Sequence, residues 1–208
     1  MSVKVEHSIT SGTFSLDGGT WDVDNNVWLI GDDTECVLID APHDAERIRE
    51  LIGDRRLNAI LCTHAHDDHI NVAQELAEAY RAPVRLHPDD EVLWRMTYPT
   101  FEFTPLAEGE TISVAGVELL VLPTPGHSPG AVCYYAPALE TVFTGDTLFN
   151  GGPGATGRSY SSFDTIIDSI RDTLLTLPPD TVVRTGHGHT TMIRHEAPDL
   201  DKWIARGH

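Results

Sequence analysis

Three imidazoles and two carboxylates crowd the stretch Thr63-His64-Ala65-His66-Asp67-Asp68-His69, directly after the apolar run Ala59-Ile60-Leu61-Cys62. Imidazole and carboxylate are good ligands for zinc and for non-haem iron, and such a knot without a cation carries repulsion and desolvation costs. His64 and His66 are two apart in an extended segment and leave the same face, while a turn at Asp67-Asp68 returns Asp68 and His69 toward them. The cluster predicts a divalent-metal site. The competing reading, an ordinary polar turn, must account for every member of the cluster at once.

The elements that present this motif follow from hydrophobic periodicity. Residues 26–30 and 35–40 read as two strands joined by the turn Gly31-Asp32-Asp33-Thr34. Asp44 is placed to cap a helix with apolar Ile48, Leu51 and Ile52, and residues 58–63 form the next buried strand. Ile70, Ala73, Leu76, Ala77 and Tyr80 then recur at helical spacing, which puts His69 at a helix N-terminus. The second half repeats the habit of ending strands in Gly/Pro loops. Strand 117–122 leads into Pro125-Gly126-His127-Ser128-Pro129-Gly130, strand 141–144 into Gly145-Asp146-Thr147, and strand 181–185 into Gly186-His187-Gly188. Between the last two, Ile166, Ile167, Ile170, Leu174 and Leu177 mark an amphipathic helix closed by Pro178-Pro179. Loops at strand ends are where rigid scaffolds present function.

Composition narrows the classes. The 208 residues suit one α/β domain, taken as 1–208, with a real core. A net charge of −18 repels phosphate backbones and anionic headgroups, so neither nucleic acid nor a membrane surface is an expected partner. The N-terminus has no basic start followed by an apolar stretch, and no segment reaches the length of a membrane span, which makes the cytoplasm the expected location. Cys36, Cys62 and Cys133 lie in apolar strands without CxxC spacing and read as core residues. His43, His87 and His195 read as surface or supporting residues, and His7 and His208, near the termini, carry no signal.

The chain resembles the metallo-β-lactamase-fold superfamily in THAHDDH at 63–69, PGHSPG at 125–130, GDTLF at 145–149 and GHG at 186–188, in that order. The resemblance implies a four-layer αβ/βα sandwich with two divalent metal ions at one edge, zinc first, with iron or a mixed iron–zinc pair as alternatives. It assigns the first metal to His64, His66 and His127, the second to Asp68, His69 and His187, and the bridge to Asp146. His189 competes with His187, and the resemblance with the flanking glycines favours His187. Asp40 resembles the carboxylate that braces the ligand loop, with a polar strand terminator as the alternative.

Within the superfamily, class-B1 β-lactamases lack His at the position of His69 and carry a Cys ligand in the second half, whereas this chain has no Cys near Asp146 or His187. Flavodiiron proteins carry Glu at the position of His66. GDTLF followed by GGPGATGRSYS is similar to the glyoxalase-II-like group, but the C-terminus is too short for the glutathione-binding extension of true glyoxalase II. The implied function is a hydrolase that cleaves a small thioester or acyl ester through hydroxide generated on the metals, with Asp68 orienting it and taking its proton. GTFSLDGGTWDVDNNVWLIGDD and GGPGATGRSYS resemble actinobacterial members associated with mycothiol-dependent formaldehyde oxidation, which implies a mycothiol thioester such as S-formylmycothiol as substrate. Arg158 and Tyr160 are candidate carrier-binding residues, and Trp94 and Tyr98 candidate members of an aromatic substrate wall. The alternatives are a mononuclear-iron persulfide dioxygenase, whose Gly-Arg-Thr-Asp signature is Gly157-Arg158-Ser159-Tyr160 here, and a non-enzymatic metal-binding module.

Overall fold

Period-two alternation writes the layers into single strands. In a computed structural model, which describes residues 2–107 and 109–207 and so leaves His208 outside, the first sheet holds six strands in chain order. They are β1 (Lys4–Leu16), β2 (Gly19–Gly31), β3 (Glu35–Ile39), β4 (Arg56–Leu61), β5 (Val84–Leu86) and β6 (Thr104–Pro105). The chain continues through β7 (Thr111–Val114), β8 (Val117–Pro123), β9 (Val132–Ala136), β10 (Thr141–Gly145), the small hairpin β11 (Leu148–Phe149) and β12 (Gly152–Pro153), β13 (Val182–Thr185) and β14 (Thr191–Met192). The second sheet runs β14-β13-β10-β9-β8-β7.

Alternate residues of β2 and β3 face opposite cores. Val27, Leu29, Cys36 and Leu38 pack against helices α1 (Ala45–Ile52), α3 (Ala73–Tyr80) and α4 (Glu91–Thr97), with the short α2 (Asp67–Ile70) between the first two in the chain. Trp28, Ile30, Val37 and Ile39 instead meet the opposing sheet, at Leu119, Val121, Val132, Tyr134 and Phe143. On the far side of that second sheet, Cys133, Val142 and Val183 pack against α5 (Phe163–Asp172) and the C-terminal helices α6 (Ile193–Glu196) and α7 (Leu200–Arg206). Three apolar layers between four structural ones make the αβ/βα sandwich. Each fully buried aliphatic side chain contributes roughly 1.5–3 kcal/mol. Among the described residues, no helix is long and apolar enough to cross a membrane.

The expected strands at 26–30 and 35–40 are the paired ends of β2 and β3, with Trp28 opposite Ile39. Asp44 caps α1 as expected, its Oδ1 accepting from the Arg47 amide at 3.0 Å. Three features differ from expectation. β1 and the first half of β2 form a long hairpin that the polar sequence concealed. The helix expected from Ile70 onward is broken at Asn71 and Val72 into α2 and α3, and the Asn71 side chain is bonded to the His43 backbone instead. The helix expected to reach Leu177 ends at Asp172, and Leu174–Thr176 tightens into a 3₁₀ turn. All three cysteines are buried and free, in keeping with their reading as core.

Candidate metal centre

The candidate ligands come from loops at one edge of both sheets. β4 ends at Leu61 and delivers His64, His66 and the short helix carrying Asp68 and His69. The loop between β8 and β9 carries His127, the end of β10 carries Asp146, and the loop after β13 carries His187. One donor atom from each of His64, His66 and His127 lies within 4.8 Å of the others, and the same holds for Asp68, His69 and His187. Asp146 stands between the two groups, its carboxylate 3.3 Å from His69 Nε2, 3.3 Å from His187 Nε2 and 3.5 Å from His127 Nε2. Gly186 makes this approach possible, because a Cβ there would sit 2.2 Å from Asp146 Oδ1.

Hydrogen bonding outside the cluster decides which ring nitrogens are bare. His127 Nδ1 donates to the Ala155 carbonyl at 2.8 Å, His187 Nδ1 to the Asp24 carbonyl at 2.7 Å, and His69 Nδ1 to Asp40 Oδ2 at 2.9 Å. The Thr63 hydroxyl gives its proton to Asp40 Oδ2 at 2.8 Å and so accepts from His64 Nδ1 at 3.0 Å. In each of these four rings the outward bond occupies Nδ1, so it is Nε2 that faces the common centre. His66 enters by Nδ1, 3.1 Å from His64 Nε2 and 2.9 Å from His127 Nε2. Facing lone pairs at such distances, beside two buried carboxylates, fit a cation and little else.

The electrostatics call for positive charge at that centre. Burial, with the neighbouring imidazoles, pushes His64 well down and His66 down to about 3. Burial also opposes charge on His69 and His187, but the Asp146 and Asp68 carboxylates outweigh it, holding His69 well up and His187 up to about 10. Burial disfavours the charged forms of Asp146 and Asp68 in turn, yet His187 and His69 hold Asp146 well below the ordinary carboxylate range, and His69 leads in bringing Asp68 to about 2. The carboxylates demand positive charge here, and a bound cation supplies it without protonating the ligands.

Two further carboxylates hold the loops. Asp40 accepts from the Thr63 amide at 2.7 Å as well as from the Thr63 hydroxyl and His69, so it orients two ligand segments while standing at a φ of 59°. Asp90, fully buried, accepts from the Ala65 amide at 2.8 Å, the Ser128 hydroxyl at 2.8 Å and the Gly130 amide at 2.5 Å. It therefore ties the first-half motif to the loop of His127. Neither Asp90 nor Asn25, which donates to Asp68 Oδ2 at 3.0 Å, stood out in the sequence.

A cavity of about 210 Å³ opens over the cluster, lined by His66, Asp68, His127, Asp146 and His187 with Phe14, Val23, Phe149 and Arg158. The Arg158 guanidinium lies 3.8 Å from the Trp21 ring centroid and 5.1 Å from that of Phe14. The expected aromatic wall of Trp94 and Tyr98 is not there. Trp94 is fully buried and donates to the Phe101 carbonyl, and the Tyr98 hydroxyl donates to the Ile70 carbonyl at 2.6 Å, so both complete the helical core. Apolar residues of α4 found their partners inside. Phe14 and Phe149 supply the aromatic lining instead, and Tyr160 is exposed outside it.

A model of the metallo-β-lactamase superfamily matches residues 20–187. The chain belongs to this superfamily. Among relatives of this superfamily member, the probable metallo-hydrolase YqgX of Bacillus subtilis is 36% identical over 183 residues, covering 81% of this chain and 86% of that protein. Hydroxyacylglutathione hydrolase GloC of Haemophilus influenzae is 33% identical over 181 residues, covering 79% and 85%. The solved structure of TTHA1623 in a di-iron-bound form superposes with a TM-score of 0.76 at 35% identity, covering 84% of this chain and 93% of that one.

Proposed function

We propose that the chain is a dinuclear metal-dependent hydrolase of a small thioester or acyl ester, with a mycothiol thioester such as S-formylmycothiol as the substrate that its sequence resemblance favours. The observation that carries the reading is the pair of three-residue donor groups, His64, His66, His127 and Asp68, His69, His187, joined by Asp146. Two divalent cations bound there supply a water acidified to near neutral pH and a Lewis acid for the acyl carbonyl. The GloC likeness supports a thioester, and the di-iron form of TTHA1623 supports a paired centre in which iron competes with zinc.

The chain's own residues do the rest. The described contacts of the Asp68 carboxylate with Asn25, His69 and His187 all fall on Oδ2, which leaves Oδ1 to accept a proton from the nucleophile. A thiolate leaving group has a conjugate-acid pKa of about 8.5 and needs little protonation, which suits a site without a separate strong acid. Phe14, Val23 and Phe149 shield the acyl group from bulk water. Arg158, held by its aromatic neighbours, offers a donor fork to the polar part of the carrier.

Metal analysis of protein purified without chelators, paired with assays of glutathione and mycothiol thioesters, tests the reading. About two cations per chain with thioester cleavage supports it. One iron per chain with oxygen uptake on a persulfide overturns it in favour of a dioxygenase. In the metal-replete protein, Asp68→Asn should lower kcat at least about a hundredfold, on the order expected for losing a general base, with substrate binding retained. Unchanged turnover excludes the role given to Asp68.

A further inference from the structure

His43 is placed by three unusual features at once. It lies between β3 and α1 at a φ of 57°, where residues with a β-carbon are uncommon. Its ring occupies space that Gly12 of β1 leaves open, since a Cβ at Gly12 would sit 2.2 Å from His43 Nδ1. The break between α2 and α3 turns the Asn71 side chain onto it, and Asn71 Oδ1 accepts the His43 backbone N–H at 2.6 Å.

That last bond fixes the polarity of a chain of side chains. With Oδ1 engaged, Asn71 presents its Nδ2, a donor only, to His43 Nδ1 at 3.0 Å. The neutral ring therefore carries its proton on Nε2 and donates it to Asn25 Oδ1 at 2.9 Å. Asn25, fully buried, is left with Nδ2 facing Asp68 Oδ2 at 3.0 Å. Every bond points the same way, and turning over either amide breaks two bonds and sets like atoms against each other. Asp68 Oδ2 is also the oxygen 3.5 Å from His69 Nε2 and 3.4 Å from His187 Nε2.

We propose that His43 and Asn25 are positioning residues that lock the Asp68 carboxylate in one rotation, with Oδ2 committed to the second metal group and Oδ1 left for the proton. The kinetic part of this rests on the hydrolase reading, and the metal-binding part does not. Asn25 acts on the carboxylate directly, and His43 acts by preventing the Asn25 amide from turning over. A purely structural role, tying the β1–β2 hairpin to α2, predicts different behaviour under the same substitutions.

The experiment compares His43→Ala, His43→Gln, Asn25→Ala and the double variant Asn25→Ala/His43→Ala in the zinc-loaded full chain. Gln keeps a side-chain N–H for Asn25 Oδ1, and Ala does not. At saturating zinc, His43→Ala should lower kcat about tenfold with KM within about twofold, and His43→Gln should recover most of it. The double variant should be no worse than Asn25→Ala alone, because both act through one bond. In chelator competition, His43→Ala and Asn25→Ala should loosen one of the two zinc ions about tenfold, and His43→Gln should restore it. Nitrogen-15 correlation spectra of the parent should show the His43 ring protonated at Nε2. Additive effects, failure of Gln to rescue, or a ring protonated at Nδ1 each overturn the proposal. If the parent cleaves no thioester or ester, the hydrolase reading fails alone, and zinc competition with the ring signature still decides this one.

Discussion

Arg158 stacks on Trp21 and Phe14, and among the described residues no carboxylate lies within ion-pair distance of its guanidinium. In a chain of 32 acidic and 14 basic residues, a cation beside the cavity that feels Asp17 only at a distance keeps its donors available to a ligand. Arg158→Ala should raise KM for a carrier thioester roughly tenfold, the scale of a lost charge-assisted hydrogen bond, with metal content normal and a simple arylester barely affected. Equal loss on both substrates means that Arg158 only anchors its loop. Asp90 invites the opposite kind of test. Removing it strands three donors in the interior, so Asp90→Ala should cost roughly 2–5 kcal/mol in denaturant unfolding. A loss below about 1 kcal/mol refutes its bracing role. The metal-type residues were legible because few other uses collect so many imidazoles in glycine-rich loops. Asp90 and Asn25 were not, since a lone acid or amide acquires its meaning only from the donors that folding brings to it. Trp94 and Tyr98 show the converse, as aromatic residues near a motif still go where apolar area can be buried.

At the scale of the element, the β1–β2 hairpin is what the sequence hid best. KVEHSITSGTFSL alternates imperfectly and includes Gly12, so it lacks the apolar signature of a core strand. Its far end, beyond the part of β2 that pairs with β3, sets Phe14 and Val23 in the cavity lining and Trp21 against Arg158. A hydrogen bond fastens it to the Arg158 loop, where the Ser159 amide donates to Asp17 Oδ2 at 2.9 Å. That contact with Ser159 draws the Asp17 pKa below the ordinary carboxylate range. Asp17→Ala should speed amide exchange at Ser159 and in the hairpin tip while leaving the global unfolding midpoint in place. Unaltered exchange at the tip means that aromatic stacking on Arg158 holds it alone. The strands that carry the ligands, by contrast, were readable in outline, because their apolar runs end abruptly in Gly/Pro loops.

Across the whole molecule, the candidate ligands divide between the sheets, and bonds independent of any cation join the same edge. Tyr134 donates its hydroxyl to the Cys62 carbonyl at 2.7 Å, the Val132 amide donates to the Thr63 carbonyl at 2.8 Å, and the Asn26 amide donates to the Gly186 carbonyl at 2.7 Å. Chelation should therefore lower the melting temperature without separating the halves. A site filled at about a hundred times its dissociation constant contributes about 2.7 kcal/mol, or roughly 5–10 °C for a chain of this size. Loss of far-ultraviolet circular dichroism at room temperature on chelation contradicts this picture. The sheet order itself was beyond the sequence, since pairings such as β10 with β13 join segments far apart in the chain.

The Trp28 indole donates to the Thr185 carbonyl at 3.0 Å, so an early strand is finished by a late one. During synthesis the segment 64–69 meets solvent well before His187 exists, and can offer only part of a ligand set. A cation caught at that stage is held loosely and exchanges. An ion bound once the pocket closes would then be set by the pool that surrounds it at completion, because affinity order alone does not select among transition metals. Cells grown with iron or with zinc in excess should then yield the same fold carrying different metals, as elemental analysis would reveal. A fixed metal under both regimes shows that the pocket itself discriminates.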